Sequence, residues 1–199
     1  MSKEHKVIIP GLGEGTSKIR FATNHWRKYG LEPVVYSVGW HDGETEFEPK
    51  LRRLVKLIDG FFQEGSTVSL VGTSAGGSAV LNAFIERKDK THRVVNVCGR
   101  LRAGIQKGFR SFEARTSSSP VFAQSVKLCE SRENSLTEAD RLKIMTVRAM
   151  FGDELVPSNT ATLAGAYNTR VSTPEHMFSI GMALTLFSKP IISFLTGKG

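Results

Sequence analysis

The run Gly72-Thr73-Ser74-Ala75-Gly76 sets one hydroxyl among small residues. It lies between the apolar run Val68-Ser69-Leu70-Val71 and a helix-like pattern over 76–87. A strand that turns abruptly into a helix forces its turning residue into a strained conformation, and the neighbours two before and two after must be small or collide with it. Glycines at 72 and 76 meet that need, so Ser74 projects from the top of a sheet. The helix N-terminus beneath it favours developing negative charge. The chemistry this permits is nucleophilic. A serine hydroxyl is a weak nucleophile until a base takes its proton, and the base needs a third group to fix its tautomer.

Five histidines are available as that base. His5 lies on the N-terminal tail, and His25 sits inside a helical pattern. His92 precedes a strand and so falls at the wrong end of the sheet. His41 follows the second strand and is the rival. His176 follows the last strand, at the end where strand C-termini open into a common crevice. By the same rule Asp153, just past a strand ending in Ala149-Met150-Phe151-Gly152, is the candidate acid. Adjacent Glu154 and the earlier Asp42 are alternatives.

These residues need a frame, and the hydrophobic pattern supplies one. Apolar, β-rich runs predict strands at 6–10, 33–38, 67–71, 93–98, 142–151 and 167–173. Helical spacing predicts helices at 16–29, 49–63, 76–87 and 157–166, with a last one over 177–195 broken or kinked at Pro190. Strands alternating with helices argue for βαβ units. The expected fold class is α/β: a three-layer sandwich with a six-stranded, mostly parallel sheet and helices on both faces. The stretch 101–141 has no clean β signal and is predicted to be a cap-like insertion over one end of the sheet. Ser119-Pro120 can start a helix there, and Ser135-x-x-Glu138 reads as a capping box. Its apolar residues Phe109, Phe112, Val121 and Phe122 are expected to line a pocket. Arg102, Lys107 and Arg110 are expected to face solvent or an anionic substrate.

The chain has 199 residues, 40% hydrophobic and 23% charged, which predicts a single domain over 1–199 with a sizeable core. Its net charge of +8 gathers in 50–53, 100–110 and 141–148. Such a surface can attract nucleic acid, anionic lipid or an acidic substrate, or can simply be solvated. No RNP-like aromatic strand, zinc spacing or basic zipper accompanies it, so no nucleic-acid partner is expected. The first eleven residues, MSKEHKVIIPG, contain too short an apolar run for a signal peptide. Cys98 and Cys129 have neither metal-ligand spacing nor a disulfide framework, and Cys98 sits in an apolar strand pattern. A reduced, cytoplasmic protein is the expectation. The apolar stretch 177–195 is interrupted by Ser179, Ser188, Lys189 and Pro190, so a helix packed on the sheet is expected there rather than stable membrane insertion.

Four segments together carry a resemblance. Ile8-Ile9-Pro10-Gly11-Leu12-Gly13, then VSLVGTSAGG at 68–77, MFGDELVP at 150–157 and TPEHMFSIG at 173–181 resemble the oxyanion loop, nucleophile elbow, acid loop and histidine loop of the α/β-hydrolase superfamily. The chain order Ser, Asp, His is the family order, and the resemblance spans essentially the whole chain. It departs in having Pro10 where many members carry histidine, and in lacking the N-terminal antiparallel strands of larger members. The resemblance implies a strand order 2-1-3-4-5-6. It implies Ser74 as nucleophile, His176 as base, Asp153 as orienting acid, and the backbone N–H groups of Leu12 and Ala75 as oxyanion donors. Gly11 and Gly13 would let a substrate approach closely or are plain turn glycines. The implied activity is hydrolysis of a small-molecule acyl ester, with no cofactor and no metal; the modest size of the 101–141 insertion adds the expectation of short to medium acyl chains. The same triad also serves thioesters, amides and lactones, and a catalytically silent binding protein on this fold is the rival reading.

Overall fold

In the computed structural model, which describes residues 4–197, six strands form one sheet in the order β2-β1-β3-β4-β5-β6. They are β1 (Glu4–Ile9), β2 (Glu32–Val35), β3 (Thr67–Thr73), β4 (Thr91–Val97), β5 (Ile144–Ala149) and β6 (Tyr167–Val171). Every neighbouring pair is parallel. Chain order reverses direction across the sheet between β1 and β3, which is where a crevice opens at the strand C-termini.

Alternation along each strand supplies the two buried faces. Val7 and Ile9 of β1, with Val68 and Leu70 of β3, join one apolar cluster. It is completed by α2 (Phe47–Gln63), α3 (Gly76–Glu86) and α5 (Pro120–Arg132). Ile8 and Val71 point the other way, into a second cluster with α8 (His176–Leu184) and α9 (Lys189–Thr196). Ile19 and Ala22 of α1 (Thr16–Thr23) pack against it. The result is the three-layer α/β sandwich expected. α3 is apolar nearly all round because it is enclosed by β3, β4 and α5. Val80 and Phe84 on it are fully buried, a transfer of about 1.5–3 kcal/mol for each side chain. That burial anchors the helix that begins directly after Ser74.

Several expectations need correction. The helix predicted over 16–29 stops at Thr23 and continues as a 3-10 turn, Asn24–Tyr29, closed by Gly30 in the left-handed region. The tighter turn swings Trp26 fully into the core, where its Nε1 donates to the Leu184 carbonyl at 3.1 Å. The last predicted helix is two helices, α8 and α9, bent by 55°. The break falls at 185–188, not at Pro190. Pro190 sits in the first turn of α9, where a missing N–H leaves no bond unmade. No single helix among the described residues is long and apolar enough to cross a membrane; the bent α8–α9 pair passes that test by length and composition only. His5 is a buried residue of β1, stacked on Phe61, rather than a tail residue. Met1, Ser2 and Lys3, the start of the segment judged too short for a signal peptide, lie outside the described residues.

The 101–141 stretch divides into two parts. α5 belongs to the helical layer as the crossover between β4 and β5: Ser78 and Ser125 share a 2.8 Å hydroxyl contact, and Asn82 Nδ2 donates to the Ser125 carbonyl at 2.9 Å. Only its first part, with α4 (Phe112–Thr116), faces the strand C-termini. Ser119 caps α5, its Oγ accepting from the Phe122 N–H. The capping box is made by Thr137 and Asp140 at the start of α6 (Glu138–Arg141), two residues later than the Ser135/Glu138 pair predicted. Ser135 instead ends a 3-10 turn, Glu133–Ser135. One more short helix, α7 (Ser158–Ala161), lies between β5 and β6.

Candidate active site

Ser74 stands between β3 and α3 with φ of 51°, a region a non-glycine residue occupies only when its surroundings force it. The forcing is visible on both sides. A Cβ on Gly72 would lie 2.3 Å from the Gly76 carbonyl oxygen, and one on Gly76 would lie 2.1 Å from the Ile9 carbonyl oxygen. The Ser74 N–H donates to the Val97 carbonyl and its own carbonyl accepts from Gly77, both at 3.0 Å. These bonds fix the turn and aim the hydroxyl away from the sheet. Gly76→Ala is expected to destabilise the fold by at least about 2–3 kcal/mol, because the contact is with backbone that cannot rotate away. Urea unfolding measures it, and a shift below about 1 kcal/mol would contradict this packing.

His176 is the first residue of α8 and is 1% exposed. Its Nε2 lies 2.8 Å from Ser74 Oγ, and its Nδ1 lies 2.7 Å from Asp153 Oδ2. Two neighbours hold it there. Glu175, with φ of 69°, caps α8 by accepting from the Met177 and Phe178 N–H groups. Those bonds hold the Glu175 carboxyl below its usual value. Glu154 accepts from the backbone N–H of His176 at 3.0 Å. Glu154 therefore supports the histidine through its backbone and does not touch the ring.

Asp153 follows β5 by a turn through Gly152 and is 6% exposed. Oδ1 accepts the N–H groups of Leu155 at 2.9 Å and Val156 at 2.8 Å, which leaves Oδ2 for the histidine. The Asp153 carbonyl accepts from Arg110 Nη2 at 2.6 Å. So the structure brings Ser74, His176 and Asp153 together from three different strand ends.

The other sequence candidates separate clearly. His41 is exposed. Asp42 is bound to Lys50 Nζ at 2.7 Å, and that bond holds its carboxyl below the usual range. His25 contacts the Ala22 carbonyl and Ser188 Oγ. A Cβ on Gly11 would meet Ser74 Cβ at 2.7 Å, so this glycine permits the first loop to lie against the serine. A Cβ on Gly13 would meet nothing within 4 Å, so packing against the protein does not require a glycine there. Neither Leu12 nor Ala75 donates its backbone N–H to a protein acceptor among the described residues.

A cleft of about 320 Å³ opens at Ser74, lined also by Leu12, Ala114, Phe122, Leu155 and Val156, with Arg100 and Arg115. Phe122 is placed as expected, while Phe109 is not in the cleft. It is 64% exposed, with the Arg115 guanidinium 3.9 Å from its ring centre. Phe112 and Val121 are core residues instead. Arg102 is committed to Glu133 at 2.5 Å. Cys98 is buried, with its thiol pushed up to about 12 mainly by burial, which leaves it unreactive. Among the described residues no group of three or more His, Cys, Asp or Glu side chains is placed to hold a metal ion. Sequence reasoning passed over Arg100 and Glu175. Arg100 was within reach of the rule that found Asp153, since it stands just past the C-terminal end of β4.

No family model matches this chain, and no curated protein does. Solved structures do. One of the metagenome-derived lipolytic enzymes LipS and LipT superposes with a TM-score of 0.69 at 11% identity, covering 98% of this chain and 94% of its own. A monoacylglycerol lipase of Paleococcus ferrophilus gives 0.66 at 13%, covering 100% and 97%. The mature lipase BlEst2 of Bacillus licheniformis gives 0.65 at 20%, covering 96% and 92%. Likeness at such low identity is a likeness of fold, and it extends over nearly the full length of every chain compared. The chain has the α/β-hydrolase fold.

Proposed function

We propose that this chain is a serine hydrolase that cleaves small carboxylic esters. The observation that carries the reading is the unbroken line of contacts from Asp153 through His176 to Ser74, at 2.7 and 2.8 Å, ending at a cleft. In this reading Ser74 Oγ attacks the ester carbonyl while His176 Nε2 takes the hydroxyl proton. The N–H groups of Leu12 and Ala75 receive the oxyanion. His176 returns the proton to the departing alcohol, leaving an acyl group on Ser74. Water then attacks the acyl carbon with His176 again as base, the bond to Ser74 Oγ breaks as His176 returns the proton to that oxygen, and the acid leaves. Asp153 keeps the proton on Nδ1, so Nε2 stays free to accept. No step draws on a metal or an organic cofactor. A fluorophosphonate probe with the modified residue identified by mass spectrometry tests this: labelling at Ser74 supports it, and no labelling at Ser74 favours a silent binding protein on the same fold. The two cysteines are free and buried, which fits a reducing compartment such as the cytoplasm. The small molecule in the cleft is the partner this reading needs; it calls for neither nucleic acid nor membrane insertion.

The cleft stands at the small end of ligand pockets, which span about 300–1,000 Å³. Acyl chains of a few carbons should therefore turn over best, without activation by micelles. Phe122 closes one wall and meets Trp40 edge-on, with ring centres 5.9 Å apart. Phe122→Leu is expected to move the optimum of a p-nitrophenyl ester series toward longer chains, and Phe109→Ala to leave it in place. A shift from Phe109→Ala alone, or a long-chain preference that appears only above the micelle threshold, would overturn this assignment of the wall.

A further inference from the structure

We propose that Arg100 and Arg115 form an anion subsite beside Ser74, and that the substrate is an ester carrying a carboxylate or phosphate group. This inference deepens the hydrolase reading and rests on it for the reaction, though not for the binding.

Arg100 is 1% exposed and lines the cleft with Ser74. Its Nη2 donates to the Arg110 carbonyl at 2.8 Å, but its Nε and Nη1 are buried with no hydrogen-bond partner. Arg115 lines the same cleft, and its Nε is likewise buried and unpartnered. Its guanidinium carbon lies 3.9 Å from the centre of the Phe109 ring. Among the described residues Arg100, Arg110 and Arg115 take part in no ion pair. Other cations do: Arg87 pairs with Asp59, Arg102 with Glu133 and buried Lys50 with Asp42.

A buried guanidinium without a carboxylate is costly, and the usual remedy is a partner or a ligand. Burial weakens the hold of Arg100 on its proton, and the Arg115 and Arg110 charges act the same way against Glu113 and Asp153. Arginine nevertheless stays charged in proteins. The cleft is thus lined, beside the serine, by two arginines that keep unspent N–H donors and make no ion pair. A planar fork of this kind matches the oxygens of carboxylate and phosphate. Neutral esters leave those donors unpaired, whereas an anionic one satisfies them. The net charge of +8 would also draw such a substrate in.

The test compares kcat/KM for paired esters: mono-p-nitrophenyl glutarate against its methyl-capped form, and acetylated glycerol 3-phosphate against acetylated glycerol. Wild type should favour at least one anionic member by about tenfold or more, the size of one charge-assisted contact. Which pair shows the preference tells carboxylate from phosphate. The ratio should fall to near one in Arg115→Met and Arg100→Met, and persist in Arg52→Gln. Arg115 is partly exposed, so its variant remains informative where loss of buried Arg100 disturbs folding. Equal rates within both pairs, from an enzyme labelled at Ser74, would overturn the subsite while leaving the hydrolase reading intact. If Ser74 is not labelled, the thermal shift given by glutarate and by glycerol 3-phosphate decides. Stabilisation that disappears in Arg115→Met supports the subsite, and no stabilisation by either compound overturns it.

Discussion

Ser74→Ala is expected to abolish fluorophosphonate labelling and to lower ester turnover by about 10⁵-fold or more, while the protein stays folded. The expectation is this large because, in the proposed reaction, the change removes the one atom that would form the covalent bond and little else. Alanine keeps the Cβ of serine, so the tight turn at φ of 51° gains no new contact. The two backbone bonds that hold the turn, to Val97 and from Gly77, involve no side chain. What disappears is the 2.8 Å contact with His176 Nε2. Residual activity would come from the oxyanion donors and binding alone. Labelling stoichiometry, kcat on a p-nitrophenyl ester and circular dichroism check the three parts separately. Full labelling of the variant, or a labelled peptide that excludes Ser74, would refute the assignment of the nucleophile.

Much of this site can be read from the chain because its chemistry is local. The Gly72-x-Ser74-x-Gly76 spacing is a steric requirement of one turn, and the structure places backbone carbonyls where those missing side chains would be. Asp153 and His176 each follow a strand, so the parallel sheet carries them to the same end. The strand order follows from the resemblance, whereas alternating strands and helices alone leave it open. What the chain hides depends on contacts between distant segments. Phe109 and Phe122 look equivalent in sequence, yet one joins the Trp40 cluster and the other lies under Arg115. Proline at 190 reads as a break, but a proline in the first turn of a helix breaks nothing, and the real bend is set by the 185–188 connection. Ser135 and Thr137 both have an acidic residue three positions on, and only the fold of the preceding 3-10 turn decides which of them caps α6. Arg100 offers no local signal of being unpaired, because its lack of a carboxylate is a property of everything packed around it.

Asp153→Asn should cost about 10⁴-fold in turnover, the scale of such a change in a triad of this type, while Glu154→Gln should cost less than about tenfold, as expected for a hydrogen bond to backbone rather than to the base. The difference comes from where each carboxylate spends its oxygens. Asp153 Oδ1 accepts two backbone N–H groups, from Leu155 and Val156, and Oδ2 accepts the His176 Nδ1–H. An asparagine in that place must keep its one oxygen toward the two backbone donors, since turning it round would set an amide N–H₂ against them. Its N–H₂ then faces His176 Nδ1 and donates to it. The imidazole proton moves to Nε2, the atom that must accept from Ser74. Geometry survives, and the tautomer is wrong. Glu154 has no such role, because it accepts from the His176 backbone N–H and leaves the ring alone. Stability should scarcely distinguish the variants, so kcat measured beside urea unfolding separates tautomer from folding. Equal losses in the two variants, or the larger loss in Glu154→Gln, would move the orienting acid from Asp153 to its neighbour.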